Sequence, residues 1–280
     1  MSVTEAEEEI PLSPHLRMVK KWAEDYQKKF PMVDRHCPLQ PDDGREIARL
    51  NTSSLSYYFT EKVVIKRQPH LDECDLDKDG NPAINPYIAD RLRNEAAMIK
   101  YLTEHTTIPV PKFLDLWEFD GLICLKTAIV RDGEGVESMD ESLRPAAIQA
   151  ITDQMDSEIL PQLRKLRRDS MGSPDPSLPV IPPRRLWAWK EDRVWPALVG
   201  KADFTLSHMD LRWGNFILTR DPDSRRILCV VDWEGGGYFP ESWELHYWKA
   251  NGPHETSQMS RAARDRELAW ISECTKKPRG

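Results

Sequence analysis

Short β-prone runs fill the first half of the chain, and helical spacing marks the stretches around them. Glu46–Leu50, Leu55–Thr60 and Lys62–Lys66 predict three strands, turned at Asn51-Thr52-Ser53-Ser54 and Glu61-Lys62. Phe113–Glu118 and Leu122–Thr127 predict a hairpin about Asp120-Gly121. Phe216–Thr219 and Arg226–Val231 predict another about Asp221-Pro222-Asp223-Ser224, where short side-chain oxygens and a fixed proline φ favour chain reversal. Leu16, Val19, Trp22 and Tyr26, three or four apart, predict an amphipathic helix from His15 to about Phe30, covering a neighbouring lobe or a partner. Ile88, Leu92, Ala96, Ile99 and Leu102 predict a second helix, with Asn85 as N-cap and Pro86 at its first position. From Glu141 to about Arg168 the apolar series Leu143, Ala147, Ile151, Met155, Ile159, Leu163 and Leu166 predicts a long core-packed helix that Pro161 kinks or divides.

Composition narrows the classes. With 280 residues, 40% hydrophobic and 30% charged, the chain suits a soluble protein of one large or two small domains. No apolar run is long enough for a bilayer, and MSVTEAEEEIPLSP is acidic where a signal peptide is basic and then apolar. A cytoplasmic protein with no membrane partner and a disordered start is expected. Five cysteines, far apart and without C-x-x-C, argue against a disulfide framework or a zinc site. A net charge of -7 disfavours a nucleic-acid partner. Asp75, Asp77, Asp79 and Gly80 imitate the opening of a calcium loop, but Pro86 stands at the twelfth position, so this is an acidic surface excursion.

The candidate chemistry lies between Leu206 and Glu234. His208 and Asp210 share a polar loop, Asn215 opens the first strand of the second hairpin, and Asp232 closes the other. An antiparallel hairpin sets those two ends side by side. The oxygens of Asp210, Asn215 and Asp232 are the donors that Mg2+ with a nucleotide requires, since magnesium is a hard ion. Glu95 sits at the edge of a buried helical face and needs a cation; Lys66, ending an apolar strand, is the candidate, with a solvated Glu95 as the rival.

H-x-D-x-x-x-x-N followed by a hydrophobic strand and Asp-Trp-Glu resembles the aminoglycoside phosphotransferase and choline kinase family. Thr107–Lys112 and Gln162–Leu166 share the likeness, and Pro240–Glu244 is similar to fungal-type members. The resemblance implies an α+β, two-lobed protein-kinase-like fold: an N-terminal extension at 1–44, a small antiparallel β lobe with one helix at 45–127, and a mainly helical, C-terminally short large lobe at 128–280. It implies ATP- and Mg2+-dependent transfer of a phosphoryl group to the hydroxyl of a small-molecule acceptor. Asp210 and His208 would be catalytic, and Asn215 and Asp232 would hold the metal. Lys66 and Glu95 would place the phosphates, and Thr127, Ala128 and Ile129 the base. Four features depart from the family pattern: a phosphate loop without glycine, the hinge at Thr127–Val130 with Lys126-Thr127-Ala128 bringing no acid near it, Met209 in place of glycine, and the short C-terminus. They motivate an alternative, a kinase-fold binding protein of little or no activity. A protein kinase fits less well, since Met209 replaces its arginine and Trp-Glu its Phe-Gly. The proline-rich stretch 170–183 and Trp187, Trp189 and Trp195 would either shape the acceptor site, by stacking or cation–π contact, or pack structurally.

Overall fold

The computed structural model describes residues 11–29, 36–52, 54–74, 76–83, 85, 87–186 and 195–276. Strands β1 (Glu46–Asn51), β2 (Ser56–Thr60), β3 (Val63–Arg67), β4 (Phe113–Phe119) and β5 (Leu122–Ala128) form one antiparallel sheet in the order β1-β2-β3-β5-β4. Burial alternates along β2 and β3, so one face is packed at every second residue. Helix α2 (Ile88–His105) lies on that sheet, with Ile88, Leu92 and Ala96 against Leu55, Ile123 and Leu125. Its regular turns begin at Ile88, later than the proline expected to start it; Pro86 lies outside the described residues. The N-cap position is therefore Tyr87, and Asn85, expected there, instead makes a turn just before the helix, its Oδ1 accepting the Tyr87 N–H at 3.1 Å.

Helix α1 (Pro14–Lys29) starts after Ser13, whose Oγ accepts the Leu16 N–H at 3.3 Å. Leu16, Val19 and Ala23 are buried, the last two against Ala48 and Leu50 of β1. Trp22, expected in the apolar stripe, is 46% exposed, because Ala23 takes the inward place between Val19 and Tyr26. The helix also touches β6 (Glu134–Gly135), beyond the small sheet: a Cβ added at Gly135 would stand 3.3 Å from the His15 ring.

The long helix predicted from Glu141 is divided. Helix α3 (Arg144–Gln154) passes through a π turn at Met155–Ile159 into α4 (Leu160–Lys165). Pro161 cannot donate a main-chain bond and its ring crowds the preceding turn, and the widened turn absorbs both, with the Leu160 N–H reaching the Met155 carbonyl. The helix stops short of the predicted end. Leu166 turns extended and Arg167–Ser170 becomes strand β7, which pairs with β8 (Val199–Ser207). With β11 (Gly237–Phe239) they form a three-stranded sheet, and β9 (Phe216–Leu218), β10 (Ile227–Val230) and β6 form another.

Trp233, Trp248, Phe204, Phe216 and Phe239 fill the large-lobe core. Helix α5 (Pro253–Thr275) closes it, tied by Glu267 to the buried Arg185 at 2.8 Å and by Trp270 against Trp243. Trp195 is half-buried on the same core, whereas Trp187 and Trp189 lie outside the described residues. All five cysteines are free thiols. No described helix is long and apolar enough to cross a membrane. The architecture is the α+β, two-lobed arrangement of the protein-kinase-like fold.

Candidate active site

Lys66 faces the interlobe cleft from β3, where it pairs with Leu125 of β5. Its Nζ donates to both oxygens of Glu95 at 2.8 Å and to Asp232 Oδ1 at 2.7 Å. The rival reading of a solvated Glu95 is ruled out by its burial. Burial opposes the ammonium charge, yet Asp232 and Glu95 outweigh it and raise the Lys66 pKa well above its usual value. Two carboxylates sharing one ammonium respond differently. Burial pushes Glu95 from 4.5 to about 7 against the pull of Lys66. Asp232 is half-buried, which opposes its charge, but Lys66 and then Arg184 overcome that and hold its carboxyl below the usual range.

Asp232 has φ 67°, in the left-handed region, and so has Met209 at 73°. A non-glycine residue there costs about 1–2 kcal/mol and persists where the surroundings enforce it. At Met209 the enforcing group is Glu244, whose carboxylate accepts the N–H groups of His208 and, at 3.1 Å, of Met209. Asn215 and Asp232 are brought together as the hairpin requires: the Val231 N–H donates to the Asn215 carbonyl at 3.0 Å. Asn215 Nδ2 donates to the Asp210 carbonyl at 2.7 Å, which turns its Oδ1 outward, and among the described residues that oxygen accepts no hydrogen bond.

His208 is not where a catalytic group must be. It is fully buried, its Nε2 donates to the Val231 carbonyl at 2.9 Å and its Nδ1 accepts the Asp210 N–H at 3.2 Å, so both ring nitrogens are spent on backbone. The ring shapes the loop and holds it to the hairpin. Asp210 is instead gripped by Arg212, whose Nε lies 2.7 Å from Oδ1.

Two cavities meet at Asp232. One, of about 260 Å³, is lined by Lys66, Glu95, Asn215, Asp232 and the hinge residues Thr127, Ala128 and Ile129. The other, of about 240 Å³, is lined by Asp210, Asp232, Glu234, Arg184 and Arg212. It shares Arg212, Tyr247 and Ser260 with an outer cavity of about 750 Å³ between the loop and α5. His15, Leu16, Val19 and Trp22 of α1 also line the first cavity, a wall that sequence periodicity did not reveal. At the hinge, the Ala128 and Ile129 N–H groups are already donated to the Lys112 and Lys62 carbonyls. In the β1–β2 turn, Thr52 Oγ1 accepts the N–H groups of Ser54 and Leu55 at 3.3 and 3.0 Å, so these amides are drawn inward.

Four further residues went unread in the sequence. Arg184 holds Glu234 at 2.6 Å, Arg212 holds Asp210, and Glu244 holds the loop. Among them Glu234 had a signal, its place directly after Asp232-Trp233, and Glu244 had one as the last residue of the run Pro240–Glu244. Glu95, Asp232 and Glu234 present oxygens within 4.8 Å of one another, a hard donor set that fits a divalent cation such as magnesium.

The profile of the phosphotransferase enzyme family matches residues 50–270, most of the chain and all the residues of this cleft except those of α1. The chain belongs to that family. Among solved structures, this phosphotransferase is similar to aminoglycoside phosphotransferase APH(3″)-Id from Streptomyces rimosus, at 16% identity over 85% of this chain and 88% of that one, with a TM-score of 0.46. The GDP and kanamycin complex of APH(2″)-IIia matches at 13% identity over 90% and 86%, with a TM-score of 0.44. A ternary complex of APH(4)-Ia with ADP and hygromycin B matches at 14% identity over 89% and 83%, with a TM-score of 0.41. A search of curated proteins found no match.

Proposed function

We propose that this phosphotransferase moves the γ-phosphoryl group of ATP, with Mg2+, to a hydroxyl of a small molecule. The observation that carries the reading is the place of Asp232. It lies where the cavity holding Lys66 and Glu95 meets the cavity holding Asp210, so a phosphoryl group passing between them crosses its carboxylate. Asp232 and the outward Oδ1 of Asn215 would hold the metal, which supplies charge neutralisation at the phosphates when bound. Lys66, steadied by Glu95, positions the α- and β-phosphates. Asp210 orients the acceptor hydroxyl and takes its proton, while Arg212 fixes which carboxylate oxygen faces inward. The hinge offers carbonyl oxygens to the base, since its Ala128 and Ile129 amides are taken. Positioning and electrostatics carry most of the rate, because phosphoryl transfer asks little covalent work of the protein.

Asp210→Asn should keep Mg–ATP binding and lose about 10²–10⁴ in kcat. Turnover within threefold of wild type would remove Asp210 from this role. Calorimetry of ATP with and without Mg2+, on wild type and Asp232→Ala, tests the metal assignment: binding that survives the substitution unchanged refutes it.

The inward-drawn amides of the β1–β2 turn favour a second reading, a nucleotide-binding protein of very low turnover. It differs from the first in one measurement. Mg–ATP would bind normally, and no hydroxylated acceptor would raise ADP release above the acceptor-free rate.

A further inference from the structure

Outward from Asp210, the 750 Å³ cavity is built from basic groups. Arg144, Arg212 and Arg261 line it, with Tyr247, Ser257 and Ser260 between them. Arg212 is already paired with Asp210. The other two guanidiniums lack a close carboxylate. Arg144 reaches only Glu141, at 3.8 Å, whose side chain is 90% exposed, and its buried Nε has no hydrogen-bond partner. Arg261 donates to the Ser257 carbonyl of its own helix at 3.4 Å and makes no ion pair among the described residues. A buried guanidinium nitrogen without an acceptor is costly; Arg67 and Arg185 are matched by Glu73 and Glu267 at 2.7 and 2.8 Å, whereas Arg144 shares its unpartnered state with nitrogens of Arg91 and Arg225, of which only Arg144 lines this cavity.

A second, independent feature has the same sign. The cavity wall includes Gly252, Pro253 and Thr256, the first turn of the 23-residue helix α5, and no side chain caps that terminus. A helix N-terminus carries partial positive charge and outward N–H groups, so α5 adds to the field of the arginines, offset in part by Glu255 of its first turn, whose carboxylate accepts the Asn251 N–H at 2.7 Å. The one carboxylate in the wall, Glu137, lies against Gly214 and pairs with none of the three guanidiniums among the described residues.

We infer that the acceptor is an anionic alcohol, whose carboxylate or phosphate group is held by Arg144, Arg261 and the α5 N-terminus while its hydroxyl reaches Asp210. This rests on the phosphotransferase reading for the hydroxyl, though the anion site stands on its own geometry. A polycationic aminoglycoside meets the wrong sign in this cavity. Planar guanidiniums suit either anion, because both present oxygens to a two-pronged donor.

The test is calorimetric titration of the full chain, with Mg2+ and a non-hydrolysable ATP analogue present, using inorganic phosphate, malate, glucose and kanamycin as probes. Phosphate or malate should bind with a dissociation constant at or below the millimolar range. Arg144→Gln and Arg261→Gln should each weaken that binding at least tenfold while leaving the melting temperature within two degrees. Phosphate alone points to a phosphorylated alcohol, malate alone to a hydroxy acid. The inference is overturned if neither anion binds, if the double variant binds both as wild type does, or if glucose or kanamycin binds more tightly. Mg–ATP binding to wild type and Asp232→Ala is measured separately. Failure of the wild type to bind Mg–ATP with anion binding intact brings down the phosphotransferase reading and spares the anion site; Mg–ATP binding to wild type that Asp232→Ala abolishes, with neither anion bound, does the opposite.

Discussion

Glu95 is the residue whose ionisation matters most to the cleft. Its folded pKa of about 7 lies above the usual 4.5, so it favours the folded state below pH 4.5, and that contribution is lost as pH rises through 7. Asp232 has the opposite sign: its lowered pKa stabilises above 3.8, and the effect fades only in strong acid. Between pH 5 and 8, then, Glu95 alone of this pair changes state. Chemical denaturation should show wild type losing stability against Glu95→Gln over that interval. For function the direction reverses, because only ionised Glu95 shares the Lys66 ammonium with Asp232, the residue proposed to hold the metal. The kcat/KM for nucleotide should rise through about pH 7 in wild type and stay flat in Glu95→Gln. Met209 shows a different balance. Replacing it with glycine relieves about 1–2 kcal/mol of left-handed strain but removes a buried side chain worth about 2–5 kcal/mol. Met209→Gly should therefore lower stability by about 1–3 kcal/mol in urea titrations. That Asp210, Asn215 and Asp232 come together was legible in the sequence because their spacing and the hairpin between them are local. His208 was misjudged for the opposite reason: its burial beneath Trp233 depends on tertiary packing that no spacing records.

At the scale of elements, period and turn chemistry revealed what was short-range. All five strands of the small sheet, α2 and the β9–β10 hairpin follow from alternation, helical spacing and the Asp-Pro-Asp-Ser turn. The β7–β8–β11 sheet did not, because Arg167–Ser170 is charged and continues a helical series, and only pairing with β8 makes it a strand. Helix α5 was equally obscure, since its inward face holds Ala263 and Glu267 in place of an apolar stripe. That face is held by the Arg185–Glu267 pair, and breaking it leaves a buried guanidinium unmatched. Glu267→Ala should cost about 3–5 kcal/mol in thermal or chemical unfolding, whereas Arg185→Met with Glu267→Leu should come out near wild type. Helix α1 was legible as a helix but not as a cavity wall. The cavity at Lys66, about 260 Å³, falls below the roughly 300–1,000 Å³ common for ligand sites, and Trp22 occupies part of its rim. Trp22→Ala should therefore tighten Mg–ATP binding severalfold with little loss of stability. Weaker binding would make the indole part of the nucleotide site.

For the whole molecule, the two lobes are joined by more than the hinge at Thr127–Ile129. The Lys66–Asp232 bond crosses the cleft, Asn94 donates across it to the Glu234 and Gly236 carbonyls at 3.0 and 2.8 Å, and α1 touches both β1 and β6. Asn94→Ala removes two of these donors from a buried place. It should lower stability by about 1–3 kcal/mol and broaden the unfolding transition as the lobes lose their coupling. The double attachment of α1 also bears on how the chain assembles during synthesis. Its partner β1 follows within about twenty residues, but β6 comes on the order of a hundred residues later. At roughly 5–20 residues per second, the His15 end of the helix waits about 5–20 seconds for the surface it will cover. The small lobe can therefore form with its cleft still open, and the wall over the Lys66 cavity is completed only after the ribosome has passed Gly135.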